Sequence, residues 1–377
     1  MLPTEKLQRI IAYLKQTFVG KAEIADLLGI GLIAQENAFL LGPPGTAKSA
    51  IIRLLSQCIE GGKNFEYLLT RFTEPAEIFG PFDIRRLKEG ELITATEGML
   101  PEASLIFLDE LFNANSAILN SLLTALNEKI FRRGKETRKL PALMFVSASN
   151  ALPEDETLAA LLDRFLIRIK CDYVDPDLLG EVLLAGRDLD KKTAQEHLPR
   201  ITPQEIMVLQ QACLQVDLSR VGDTYINLVH NLRSTGIKVS DRRAVKLQNL
   251  IAASALISGR TSAAVSDLWV LRHIWDTEEQ IEILAGIISA TIAKDDAPGA
   301  HQQARLNTAP NPEEVAADVA ALARKWESEG LSFEHQNVIK DKLRYIQSRA
   351  DWIQNGEQRA FIQKDIQALW QKILQTV

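Results

Sequence analysis

The apolar run Ala38-Phe39-Leu40-Leu41 leads directly into Gly42-Pro43-Pro44-Gly45-Thr46-Ala47-Lys48-Ser49, and the helix-like Ile51-Ile52-Arg53-Leu54-Leu55 follows. Strand, glycine-bearing loop, lysine with hydroxyl, and helix are the ordered parts of a phosphate-binding P-loop. No other stretch constrains the chain as much. Such a loop turns its backbone N–H groups inward, and the helix N-terminus adds partial positive charge. Lys48 would then reach the terminal phosphates, and the Ser49 hydroxyl would ligate Mg²⁺. Ala47 stands where glycine is usual. Taken alone, the octet also fits a glycine-proline turn with an exposed lysine.

Composition narrows the classes. With 377 residues the chain can hold two or three domains, each with its own core. Apolar content of 46% and charged content of 24% are ordinary for a globular protein. A net charge of −6 argues against gripping nucleic acid along a basic surface. No N-terminal secretion signal is visible, and apolar runs such as 27–34 are too short to span a membrane. Cys58, Cys171 and Cys213 are widely separated and read as buried residues of a reducing, cytoplasmic setting. The five histidines show no zinc spacing, so a metal is expected only with a nucleotide.

Residues 1–175 alternate helical patterns with five short apolar runs, at 38–41, 65–70, 105–108, 143–147 and 166–170. That alternation predicts an α/β core, with a parallel sheet covered by helices on both faces. Residues 78–97 resemble a hairpin-like insertion, and 130–140 a second one turned at Gly134. From 176 to about 285 helical runs dominate, among them 243–257. A linker is expected over 286–311, with Pro, Gly, Gln and Thr and no periodicity from 295 to 311. Residues 312–377 read as three amphipathic helices. Asn311-Pro312-Glu313-Glu314 opens the first, with Val315, Val319, Leu322 and Trp326 on one face. Ile339, Leu343, Ile346, Ala350 and Ile353 stripe the second, and Ile362, Ile366, Leu369 and Ile373 the third. Short links predict an antiparallel bundle, serving either docking or oligomerisation, or packing alone.

Four further stretches carry chemistry. Leu105-Ile106-Phe107-Leu108-Asp109-Glu110 is an apolar strand ending in two acids. Beside a P-loop, Asp109 would help hold Mg²⁺ and Glu110 would deprotonate an attacking water. In 143–150 a strand ends at Asn150, a neutral group that can polarise the water or touch the γ-phosphate. In Leu161-Leu162-Asp163-Arg164-Phe165, Arg164 sits between apolar anchors. It could point at a neighbouring subunit's nucleotide or pair locally with Asp163. In Val239-Ser240-Asp241-Arg242-Arg243, Arg242 could report the γ-phosphate to the second domain, with Arg243 facing solvent.

The succession GPPGTAKS, LIFLDE, SASN, LLDRF and SDRR resembles an AAA+ ATPase of the MoxR family over residues 5–280. The alanine before the lysine is usual there. The stretches 70–81 and 117–128 resemble the regulatory ATPase variant branch of that family. The resemblance implies that Gly42, Pro43, Pro44, Gly45, Thr46, Ala47, Lys48 and Ser49 form Walker A, and that Asp109 and Glu110 form Walker B. Asn150 would be sensor 1, Arg164 an arginine finger acting in trans, and Arg242 sensor 2. Val19 and Gly20 would lie near the adenine. The insert at 78–97 corresponds to the helix-2 insert and the hairpin at 130–140 to the pre-sensor-1 hairpin. It also implies a hexameric ring that hydrolyses ATP with Mg²⁺, remodels a protein client, and works with a partner carrying a von Willebrand factor A domain. The branch's β-rich C-terminal domain has no counterpart in the pattern after residue 280.

Two other functions share these motifs. A helicase-like nucleic-acid motor would use Arg132, Arg133, Lys135, Arg138 and Lys139 with Arg85, Arg86 and Lys88, although charge runs on hairpins are usually solvated faces. A magnesium-chelatase-like subunit would use the same ATPase core.

Overall fold

The computed structural model describes residues 1–133, 136–153, 155–174, 178–191, 198–293, 301–305, 312–327 and 356–375, with nine positions between 336 and 353. Its strands are β1 (Ala38–Leu41), β2 (Asn64–Leu68), β3 (Leu105–Asp109), β4 (Ile130–Arg133), β5 (Glu136–Lys139), β6 (Met144–Ser149) and β7 (Ile167–Lys170). Five of them form a parallel sheet in the order β2-β3-β6-β1-β7. β1 and β6 are buried at every residue, because helices cover both faces. All five expected strands are present, with ends moved by one or two residues.

The helices are α1 (Pro3–Thr17), α2 (Ala22–Ala34), α3 (Lys48–Gln57), α4 (Pro75–Phe79), α5 (Ile84–Lys88), α6 (Ser116–Glu128), α7 (Glu156–Leu162), α8 (Leu179–Lys191), α9 (Pro203–Cys213), α10 (Gly222–Ser234), α11 (Asp241–Ile257), α12 (Gln280–Ile292), α13 (Pro312–Trp326) and α14 (Gly356–Gln375). α2 is apolar almost all round and is buried from Ile24 to Ala34, between α1, α9 and α11. One hydrophobic core runs from Leu7 to Ala304, uniting the sheet with the helices that follow it. A second is made by Val315, Val319 and Leu322 with the expected stripes of the last two helical segments. Every described element after residue 280 is helical.

The insertion at 78–97 is closed at its neck by the Phe82–Thr94 bridge, with Asp83 N donating to Ile93 O at 2.8 Å. Its tip holds α5, capped by the Asp83 carboxylate. β4 and β5 form the second hairpin; Gly134 lies outside the described residues. The two insertions grip each other. Arg133 donates to the Gly80 carbonyl and lies 4.0 Å above the Phe82 ring, while Arg138 donates to Thr96 Oγ1 at 2.8 Å.

Residues 301–305, within the expected linker, are anchored to the core. His301 stacks on Trp269 with centroids 4.8 Å apart, and Gln303 donates to Asp26 at 2.8 Å. The buried Asp26 carboxylate needs partners, and it takes Lys15 and Gln303. Among the described residues no helix is long and apolar enough to cross a membrane.

Candidate functional site

Parallel strands present all their carboxyl ends on one edge, and there β3, β6 and β1 deliver Asp109, Asn150 and Gly42 side by side. Gly42 N donates to Ser149 O at 3.1 Å. A Cβ on Gly42 would sit 2.1 Å from the Cys171 carbonyl oxygen, so only glycine fits. The loop then bulges outward through half-buried Pro43 and exposed Pro44 and Gly45. Gly45 has φ 81° and Ala47 φ 65°. This left-handed position explains why glycine is usual before the lysine; alanine there costs about 1 kcal/mol. Thr46 Oγ1 ties the loop by donating to Pro43 O at 2.9 Å.

α3 begins at Lys48, whose ammonium donates to Gly42 O at 2.6 Å and Pro43 O at 2.8 Å and lies 3.5 Å from Asn150 Oδ1. Ser49 Oγ donates to Asp109 Oδ2 at 3.4 Å. Glu110 follows in a left-handed conformation, φ 54°, which turns its side chain away from the strand direction. Asn150 Nδ2 donates to its Oε1 at 2.6 Å, and Asn113 Nδ2 lies 3.4 Å from its Oε2. Burial and then the Asp109 charge push the Glu110 carboxyl up from its ordinary value, against the pull of Lys48. A carboxylate made more basic, fixed by an amide and set beside a lysine is suited to taking a proton from water.

Val19 and Gly20 form the α1–α2 turn on the rim of the same edge. Gly20 has φ 71°, and a Cβ there would meet Val174 at 3.0 Å. The next residue, Lys21, is buried and donates to the Asp172 carbonyl. Residues 171–174 thus bridge the turn to the P-loop, with Tyr173 Oη 3.5 Å from Pro44 O. Lys21 and Tyr173 belong to no recognisable motif.

Arg164 and Arg242 lie elsewhere. Arg164 precedes β7, so it occupies the amino-terminal edge of the sheet. Asn37, just before β1, donates to its carbonyl at 3.1 Å and accepts from Phe145 N at the start of β6. The four-residue strand between the edges, at about 3.3 Å per residue, separates Arg164 from the P-loop edge by roughly 13 Å. Arg242, from the start of α11, lines a cleft together with Arg164, Asp163, Asn127 and Lys246. Arg164 does pair locally with Asp163 at 3.1 Å, yet its buried Nε has no hydrogen-bond partner.

Arg243 was expected to face solvent. It is instead 6% exposed, donating to Lys238 O at 3.0 Å, to the Ile274 carbonyl and to Asp276 Oδ1 at 3.1 Å. Asp276 also takes Arg168, a fully buried guanidinium on β7. Neither residue was legible in the motifs. The one available signal was a charge at an inward position of the apolar strand, which must find a partner. Burial alone would raise the Asp276 carboxyl, but Arg243 and Arg168 outweigh it and hold the group below its ordinary range.

Comparisons with known proteins bear on the family and the fold. The family described as the MoxR domain in the MoxR-vWA-beta-propeller ternary systems matches residues 5–211, and the AAA lid domain matches residues 221–288. Two uncharacterised proteins of Methanocaldococcus jannaschii are similar. One is 38% identical over 275 residues, 72% of this chain and 72% of the relative; the other is 35% identical over 286 residues, 75% and 73%. The chaperone MoxR1 of Mycobacterium tuberculosis is 26% identical over 181 residues, 47% of each chain. A crystal structure from Cytophaga hutchinsonii, described only as a candidate ATPase, superposes with a TM-score of 0.62. It covers 78% of this chain and 95% of its own at 20% identity, which bears on the fold. These findings do not name the regulatory ATPase variant branch. With its parallel sheet, flanking helices, AAA lid and C-terminal helices, the chain belongs to the MoxR family of AAA+ ATPases.

Proposed function

We propose that copies of this chain form a ring, hexameric by family resemblance, that hydrolyses Mg-ATP at sites shared between neighbours. The cycle would drive remodelling or maturation of a protein client in the cytoplasm. A partner with a von Willebrand factor A domain is supported by the ternary systems named in the matching family, which add a β-propeller. One observation carries the shared site: Arg164 and Arg242 sit together on the sheet edge opposite Lys48, Asp109, Glu110 and Asn150. One subunit would supply the phosphate cradle, and the next would supply the arginines.

Within the cradle, the amides of residues 42–49 and the Lys48 ammonium would hold the phosphates. Val19 and Gly20 would border the base. Ser49 and Asp109 offer a hydroxyl and a carboxylate 3.4 Å apart, the hard oxygen donors that Mg²⁺ takes. Bound there, Mg²⁺ would neutralise phosphate charge as the terminal bond breaks. Glu110 would accept the proton of the attacking water, held in orientation by Asn150. Arg164 and Arg242 would stabilise charge on the neighbour's γ-phosphate. A nucleic-acid motor gains less support, because Arg133 and Arg138 are spent on the other insertion.

Mixing tests the shared site. Lys48→Ala and Arg164→Ala subunits, each inactive alone, should regain ATPase activity together, because some interfaces then pair an intact cradle with an intact finger. No recovery in mixed rings would sink the trans assignment.

A further inference from the structure

Asp276 is the common acceptor of two buried guanidiniums that come from opposite sides of the core–lid junction. Arg168 lies on β7; its Nη1 donates to Asp276 and to the Trp275 carbonyl. The same guanidinium donates through Nε to Phe165 O at 3.2 Å and through Nη2 to Leu162 O at 3.3 Å. Those two carbonyls flank Arg164, so Arg168 clasps the turn that presents it. Arg243 repeats the arrangement from the lid. It donates to Asp276 Oδ1 at 3.1 Å and to Lys238 O at 3.0 Å, while its own N–H is capped by Ser240 Oγ. Lys238, Ser240 and Arg243 bracket Arg242.

The charge balance is informative. Two buried cations share one carboxylate, which leaves a net positive charge beside a cleft where Asp163 pairs with Arg164, Glu36 pairs with Lys246, and Arg242 adds a further cation. Buried charge is costly, and a brace serving stability alone is served as well by apolar packing. A surplus of positive charge here adds to the field that would draw a neighbour's phosphates.

Resting on the shared-site reading above, we propose that Asp276 is a positioning residue. Through Arg168 it fixes the Arg164 turn, and through Arg243 it fixes the start of α11, so that Arg164 and Arg242 meet the neighbouring nucleotide as one preset pair. Core and lid would then deliver their arginines together, and lid movement would be felt at the next subunit's site.

The test is Asp276→Asn in the full-length ring. A misplacement of about 1 Å can cost about 10² in rate, so kcat should fall about 10²-fold. ATP affinity of the subunit's own cradle should be unchanged, because Lys48 and its partners lie on the other edge. Mixing Asp276→Asn with Lys48→Ala subunits should restore activity, since the Lys48→Ala subunit brings an intact arginine pair. A merely structural lesion would not be repaired by a neighbour. Wild-type kcat in Asp276→Asn would overturn the inference. So would failure to recover under conditions where Arg164→Ala does recover with Lys48→Ala. If that control pair also fails, the shared-site reading itself falls, and this inference falls with it. Should Asp276→Asn not fold, Arg243→Lys serves by the same criteria: it keeps the charge but cannot reach all three acceptors.

Discussion

The two edges of the central sheet are built on opposite principles. At the carboxyl edge, contiguous motifs supply nearly every group: the loop 42–49, Asp109 with Glu110, and Asn150, on three adjacent strands. Its polar atoms pair with near neighbours on that edge, Lys48 with Gly42 O and Asn150 with Glu110 at 2.6 Å each, while Ser49 to Asp109 at 3.4 Å and Lys48 to Asn150 at 3.5 Å are long. At the amino edge, Arg164 and Arg242 come from segments far apart in the chain and are braced by buried Arg168 and Arg243 with half-buried Asp276. The first edge is a cradle set by local backbone chemistry. The second is a presenting surface held by long-range ion pairs. On the proposed shared-site reading, the two edges would form a complete site only where two copies meet.

The sharpest way to break the comparison is at the reacting groups. Arg164→Ala should lower kcat by about 10³–10⁵, the range for a trans arginine, while ATP binding persists. Loss of binding instead would put Arg164 in its own subunit's site. Lys48→Ala should do the reverse and abolish binding, measured with a fluorescent nucleotide. Glu110→Gln should retain bound ATP without turnover; wild-type turnover would remove Glu110 as the base.

Stability comes next. Asp276→Asn strands two buried guanidiniums and should cost about 3–5 kcal/mol in denaturant unfolding. Its pH dependence has a definite sign. The folded carboxyl is held below its ordinary value of 3.8, so its contribution is complete above that pH. The contribution is lost as pH falls through the lower folded value. Acid titration of the wild type should show that loss, and Asp276→Asn should lack it.

A smaller effect is expected at the cradle. Gly42→Ala places a methyl 2.1 Å from the Cys171 carbonyl and should cost about 1–3 kcal/mol with weakened nucleotide binding. Gly45→Ala meets no neighbour and should show only the mild strain of its positive φ. Equal effects would mean that the loop is not held against β7. Smallest of all, Arg53→Ala removes an exposed pair with Glu66 at 2.6 Å and should change stability by no more than about 1 kcal/mol.

That Lys48, Ser49, Asp109, Glu110 and Asn150 come together on one edge was legible because each motif is a short run at a strand end. Apolar strands ending in Asp109-Glu110 or Asn150 announce both their burial and what they carry. The stripe from Val315 to Ile373 was equally plain, since helical spacing alone puts those residues on one face. The segment around His301 was misleading. Its residues show no periodicity, yet Gln303 and His301 are held by Asp26 and Trp269, more than two hundred and more than thirty positions away respectively. Arg243 misled for a similar reason. A first-turn helix arginine looks solvated until the carboxylate that receives it, Asp276, is brought in by the fold.

The sequence of this protein alone carries the P-loop pattern of the MoxR family of AAA+ ATPases, a parallel sheet with flanking helices, and a set of candidate site residues in short contiguous runs. Those features depend on neighbours in the chain and on alternation between buried and exposed positions. Only the tertiary structure decided that Arg164 and Arg242 share a cleft on the far edge, and that Asp276 stands behind both. Buried charges must be paired, and which partner each one meets is determined by how distant segments pack, a relation that no local pattern encodes.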